Sequence, residues 1–292
     1  MKRNATLRAA ALSLVMGVGL ASVSVAGASS RHGARHALFA ETDSTSGNRV
    51  ITYARASDGT ISYFRSYPTF GRGAVASGAT ADPLASQGGL ALVNNGEELI
   101  ATNPGSDSIT VFSVDGTRLS SLEQLASGGP FPNSVASSSN LVAVLNSGCA
   151  GSVAEFRWDD NRLIPLPAQT RWRGLANTTP PFYPQGAGQV GYTPVGTHLI
   201  VTTKHSTNSF EVFSVSHCGV LGATPVITAA NRPGPFAFNF DNAGNLVAVE
   251  APNSNVSIYG VNANGRLTSR GSVTDGAHAL CWISSAQGLL FR

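Results

Sequence analysis

Apolar residues in this chain fall in short alternating runs, broken by Gly, Asn, Asp and Ser, and five of those runs share one phase. They are "NRVITYARASDGTIS" from Asn48, "DSITVFSVDGTRLS" from Asp107, "GSVAEFRWDDNRLIP" from Gly151, "NSFEVFSVSHCGVLG" from Asn208 and "NVSIYGVNANGRLTS" from Asn255. Each sets a β-branched or aromatic residue three before an aromatic anchor: Val50/Tyr53, Ile109/Phe112, Val153/Phe156, Phe210/Phe213 and Val256/Tyr259. A polar turn follows, then an apolar residue at Ile61, Leu119, Leu163, Leu221 or Leu267. Period-two alternation around a Gly- or Asn-rich turn predicts a β-hairpin. A short apolar strand precedes each hairpin ("ALFAET", "LIATN", "LVAVLN", "LIVTTK", "LVAVEA"), and most of these follow a further strand and turn, as in "GGLALVNNGEEL".

Each unit is thus four short antiparallel strands, A to D. The anchors are spaced by 59, 44, 57 and 46 residues, and the two longer intervals carry extra loop, "FGRGAVASGATADPLAS" and "RWRGLANTTPPFYPQGA". Four strands in roughly 40 to 50 residues, repeated, predict an all-β fold: a β-propeller of four-stranded antiparallel blades, five full blades plus the start of a sixth. A β-sandwich lacks such phasing, and a WD40 propeller repeats a Trp-Asp dipeptide from blade to blade, whereas here it occurs once, at Trp158-Asp159. "ALCWISSAQG" matches a sixth strand A and its turn, and "LLFR" the start of strand B. A seven-bladed ring would then lack about 80 residues. The expectation is a chain truncated at its carboxyl end, with an open ring that exposes sheet edges and blade faces. Such a chain is expected to be unstable as a monomer unless a partner, or self-association through the open ring, completes it.

In an antiparallel blade the start of A, the end of B and the B–C turn share one face, where ligand sites of small-bore β folds lie. Strand A starts there offer Gln87, Asn133, Gln185 with Gln189, Arg232 with Phe236, and His278; strand B ends offer Glu41, Asn103, Asn146, Lys204 and Glu250. The candidate ligand-binding residues are Gln185, Gln189, Lys204, Arg232 and His278, with Glu250 the candidate catalytic group. The bland reading makes Asn103 and Asn146 turn formers and Lys204 and Glu41 solvated rim charges. That set lacks the tight Ser/His/Asp or Cys/His grouping of nucleophilic catalysis.

Composition changes this picture little. Charged residues are 12%, apolar ones 42% and the net charge is +3, with no basic cluster, so no nucleic-acid partner is expected. Lys2, Arg3 and Arg8 precede the apolar Ala9–Ala26 stretch, and Ala26-Gly27-Ala28 fits a small-residue cleavage site. Residues 1–28 are expected to be a signal peptide, 29–36 a linker and 37–292 the propeller. That makes the protein secreted or extracytoplasmic, with about 264 of its 292 residues retained and no membrane span after cleavage. Six scattered histidines give no zinc pattern, and no cofactor or metal is expected. Cys149, Cys218 and Cys281 fall in a B–C turn, a C–D turn and a strand A, so three free thiols, buried or partly buried, are expected.

The unit "strand, N-x-G, polar, V-x-x-F/Y, DG, L", with "SDSITVFSVDGTRLSSLEQLASGGPFPNSVA" and "LVAVLNSGCAGSVAEFRWD", resembles the lactonase-type seven-bladed propellers over roughly residues 37 to 292. That family includes the propeller 6-phosphogluconolactonases and fungal 3-carboxymuconate cyclases. The resemblance implies a catalytic histidine, arginine and glutamate on one face. Here Gly186, Ala187 and Gly188 in "PQGAGQVGYTP" stand at the histidine stretch, Phe236 and Ala237 in "PGPFAFNF" at the arginine stretch, and Glu250 in "AVEAPNSNV" at the glutamate. A lactonase or cycloisomerase needs an acid or base and a cation for the developing oxyanion. The expected function is therefore a ligand-binding or protein-interaction module, its partner a small molecule, a glycan or a protein. The alternative is an extracytoplasmic lactonase or cycloisomerase using Glu250 with Arg232.

Overall fold

The structure is a computed structural model that describes residues 36–160, 162–274, 276, 278–286 and 289–291. The expected leader, and the linker apart from His36, lie outside the described residues. The described residues form one compact unit.

The strands pair antiparallel in six successive sheets. The first holds β1 (Ala37–Glu41), β2 (Arg49–Arg55) and β3 (Ile61–Pro68). The second holds β4 (Leu90–Val93), β5 (Glu98–Asn103), β6 (Ser108–Asp115) and β7 (Arg118–Ala126). The third runs β8 (Pro132–Ser138), β9 (Leu141–Asn146), β10 (Ser152–Asp159) and β11 (Arg162–Pro165), with β12 (Arg171–Trp172) also on β10. The fourth is β13 (Gln189–Tyr192), β14 (His198–Thr202), β15 (Ser209–Ser214) and β16 (Val226–Ala229). The fifth is β17 (Pro235–Phe240), β18 (Leu246–Glu250), β19 (Asn255–Val261) and β20 (Leu267–Thr274). β21 (Ser284–Ala286) and β22 (Leu289–Phe291) close the series. Apart from β12, every strand pairs with its neighbour in sequence order, as meander blades require; the first sheet has three strands among the described residues, not the four expected.

Period-two alternation explains the stacking. In β5 and β6, Leu99, Ala101, Phe112 and Val114 pack with Val50 and Phe39 of the first sheet. The intervening Ile100, Ile109 and Val111 pack with Val135, Val142 and Val144 of the third. One sheet therefore feeds two cores from opposite faces, and the pattern repeats between sheets three and four, four and five, and five and the last. The anchors Phe112, Phe156, Phe213 and Tyr259 are buried, each worth about 1.5–3 kcal/mol by burial. At Tyr53, Phe112 and Tyr259 the pairing to the next strand slips by a residue, the same bulge in three blades. Tyr53 is only half-buried, edge-on to Tyr63, on a sheet-one face that also exposes Leu38.

Candidate functional site at the centre of the propeller

The inner strands converge: β13 lies against β8 and β17, and β17 against β21. The first long loop runs into that centre. Asp82 folds its end into a tight turn, its carboxylate accepting from the backbone N–H of Leu84 at 3.1 Å and of Ser86 at 2.9 Å. The loop then reaches three other sheets. Ser86 Oγ donates to Asn133 O at 2.7 Å, Gln87 N–H to Gly188 O at 3.0 Å, and Trp282 Nε1 donates to Ser86 O at 3.0 Å. The second long loop packs on the first where Ser77 N–H donates to Pro181 O and Tyr183 N–H to Ser77 O. The two stretches that break the repeat thus meet over the centre.

Beside this junction lies a cavity of about 320 Å³, walled by Tyr183, Pro184, Phe236, Ala251, Pro252 and Ala279, with Lys204, His205 and Cys281 as its polar side chains. Lys204 is 4% exposed. Its Nζ donates to Ala85 O at 2.7 Å and stands 5.3 Å from the Phe236 ring centroid. Burial pushes its pKa down to about 7, against the opposing pull of Asp82 and Cys281. On the other side of His205 is a second cavity of about 260 Å³, lined also by Gln185, Ser206 and Thr207.

Glu250 contrasts with this. It is 0% exposed, and four donors hold its carboxylate. Oε1 accepts from Tyr259 OH at 3.0 Å and Arg232 N–H at 3.1 Å, and Oε2 from Asn255 Nδ2 at 2.6 Å and Ser257 Oγ at 2.7 Å. Burial, then the adjacent Glu250, raise the Tyr259 pKa, so the phenol stays a donor. Three other B–C corners are stapled in a similar way. Glu41 accepts from Asn48 Nδ2 at 2.6 Å, Asn103 Nδ2 donates to Thr110 Oγ1 at 2.9 Å, and Asn146 Nδ2 to Ser152 Oγ at 3.3 Å. Burial, reinforced by Asp43, holds the Glu41 carboxyl well above the usual range, and burial with Asp82 takes Asp43 to about 7.

Of the sequence-derived candidates, Lys204 and Gln185 line cavities on either side of His205. Gln189 is committed to Phe238, accepting from its N–H at 2.7 Å and donating to its carbonyl at 3.1 Å. Arg232 comes next to Glu250 through its backbone, with its side chain exposed, and His278 is exposed. Lys204 is not a solvated rim charge but buried, and Glu41 is half-buried, with its carboxylate held by Asn48. The cysteines are free, but Cys149 and Cys218 are exposed, because both sit on turns, and Cys281 is half-buried just before β21 rather than in a strand. Sequence reasoning missed Ala85, Asp82 and Tyr183, which only the loops bring to the centre. One signal was available: Lys2 and Lys204 are the only lysines in the chain. Among the described residues no cluster of His, Cys, Asp and Glu suits a metal ion, and no helix is long and apolar enough to cross a membrane.

Meander sheets stacked around a polar centre define a β-propeller. A family model described as lactonase, 7-bladed beta-propeller matches residues 18–162, about half of the chain. No curated protein matches it. Similar solved structures include a protein from Lactobacillus plantarum, 18% identical, TM-score 0.63, covering 85% of this chain and 71% of that one. The periplasmic gluconolactonase of Pseudomonas aeruginosa is 16% identical, TM-score 0.61, covering 82% and 67%. A candidate 6-phosphogluconolactonase of Bacteroides uniformis is 17% identical, TM-score 0.53, covering 82% of each chain. At these identities the likeness is one of fold.

Proposed function

We propose that the protein is an exported lactonase-family propeller that binds a small ligand in the cavity beside Lys204 and does not hydrolyse lactones. The saturation of Glu250 carries this reading: a carboxylate held by four donors has no lone pair poised for a substrate proton. Two further observations support it. A Cβ on Gly188 would collide with the Phe236 carbonyl, leaving no room there for an imidazole. Phe236 and Ala237, at the arginine stretch, are buried apolar residues. The cavity sits at the small end of ligand pockets, which span about 300–1,000 Å³, and is mostly apolar with a few polar groups. Export rests on the basic, apolar and small-residue order of residues 1–28.

The test is a panel of lactones offered to purified protein, with small aromatic ligands titrated in parallel. The expected result is ligand binding without turnover; lactone turnover abolished by Glu250→Gln would overturn it. Expression in a secreting host should yield a chain beginning at Ser29.

A further inference from the structure

Lys204 is an unusual choice for its place. Of the 19 basic residues, 17 are arginines, and beyond the leader-like segment Lys204 is the sole lysine. An arginine serves charge pairing and anion binding better, through its planar fork; a lysine adds a primary amine able to act as a nucleophile. Among the described residues no carboxylate forms a direct ion pair with Lys204; Asp82 acts on it only from a distance. Its amine is held in the cavity by one carbonyl, Ala85 O at 2.7 Å, and backed by the Phe236 ring. The other polar side chains lining the cavity are His205 and Cys281, with Asp82 acting from the central loop.

We propose that Lys204 captures a small carbonyl compound, an aldehyde with an apolar body, as a reversible imine inside this cavity. The inference rests on the ligand-binding reading and names the chemistry of that site. The amine nitrogen in its neutral form attacks the carbonyl carbon, the C–O π pair moves onto oxygen, and the proton that the nitrogen then sheds is taken up there to give a neutral carbinolamine. The C–O bond then breaks, the hydroxyl leaves as water with a second proton, and a protonated C=N remains. Taken from the ammonium, the change is one aldehyde in and one water out, with no redox step. A pKa lowered to about 7 leaves a large share of the amine neutral near neutral pH. The apolar walls shield the imine from the water that would hydrolyse it.

The test uses the full chain near neutral pH with benzaldehyde and cyanoborohydride, followed by peptide mapping by mass spectrometry. Benzyl alcohol, similar in shape but without the carbonyl, is titrated in parallel by calorimetry. The expected result is a reduced benzyl adduct on Lys204, forming on the order of tenfold faster than on Lys2 or the terminal amine. Lys204→Arg and Lys204→Met should each lose the adduct, and the wild-type map decides alone if neither folds. Alcohol binding with no adduct on Lys204 overturns the imine and leaves the binding reading standing. Binding of neither compound, with no adduct, overturns both.

Discussion

Glu250 and Lys204 stand at the same kind of corner, in adjacent blades, where strand B turns into strand C. The corner of the fifth blade is closed on itself: Asn255, Ser257 and Tyr259, all on the next strand, and the Arg232 N–H supply every donor Glu250 needs. The corner of the fourth is stapled instead by Thr203, whose Oγ1 donates to Ser209 O at 2.9 Å, and this leaves Lys204 to point across the centre to Ala85. The blade design can therefore satisfy a buried polar residue locally or release it to non-repeating chain. The residue that the family resemblance marks falls in the first class. The residue that can meet a ligand falls in the second.

Removing Glu250 should break the contrast most severely. Glu250→Ala orphans four donors in a buried corner, and urea unfolding should report a loss of about 3–5 kcal/mol. Gly188→Ala should cost about 1–3 kcal/mol, because the new methyl meets the Phe236 carbonyl; a stable Gly188→His variant would remove one support for lost catalysis. Stability should also depend on pH in two limbs. Asp43 binds its proton more tightly folded than unfolded, so its contribution falls as pH rises from about 4 to about 7, and Glu41 acts in the same direction. Lys204 binds its proton less tightly when folded, so its contribution rises from about pH 7 to about pH 10. Asp43→Asn should flatten the first limb and Lys204→Met the second, in melts recorded across that range. At neutral pH Lys204→Met should change stability least, by about 1 kcal/mol or less in either direction, since one hydrogen bond is lost while an ammonium need no longer be buried. A loss as large as that of Glu250→Ala would put Lys204 in the structural class.

The blades were legible because each strand reports its own partner: the spacing from Val256 to Tyr259 and the turn after it define the hairpin, whatever surrounds them. The saturation of Glu250 was within reach too. Once β18 and β19 are paired, Glu250 stands opposite Asn255, with Ser257 and Tyr259 following at the alternating positions of one face. Lys204 was placed on the correct face but read as a rim charge, because its burial comes from Ala85, which lies outside any repeat. The two long loops have no periodicity, so their meeting at Ser77 and Pro181 could not be anticipated. The exposure of Cys149 and Cys218 was misjudged because composition favours buried cysteine, whereas turn geometry set their surroundings.

The central loop has one more consequence, for the order in which the molecule is built. Each hairpin can zip from contacts a few residues apart, but Trp282 reaches Ser86 across 196 residues, as Ile283 does for Gln87. Contacts so distant along the chain carry the loop-closure entropy that slows folding. The blades should therefore gain structure before the centre does. In refolding, far-ultraviolet dichroism should recover ahead of the near-ultraviolet signal to which Trp282 contributes, and the cavity beside Lys204 should be the last part of the protein to exist.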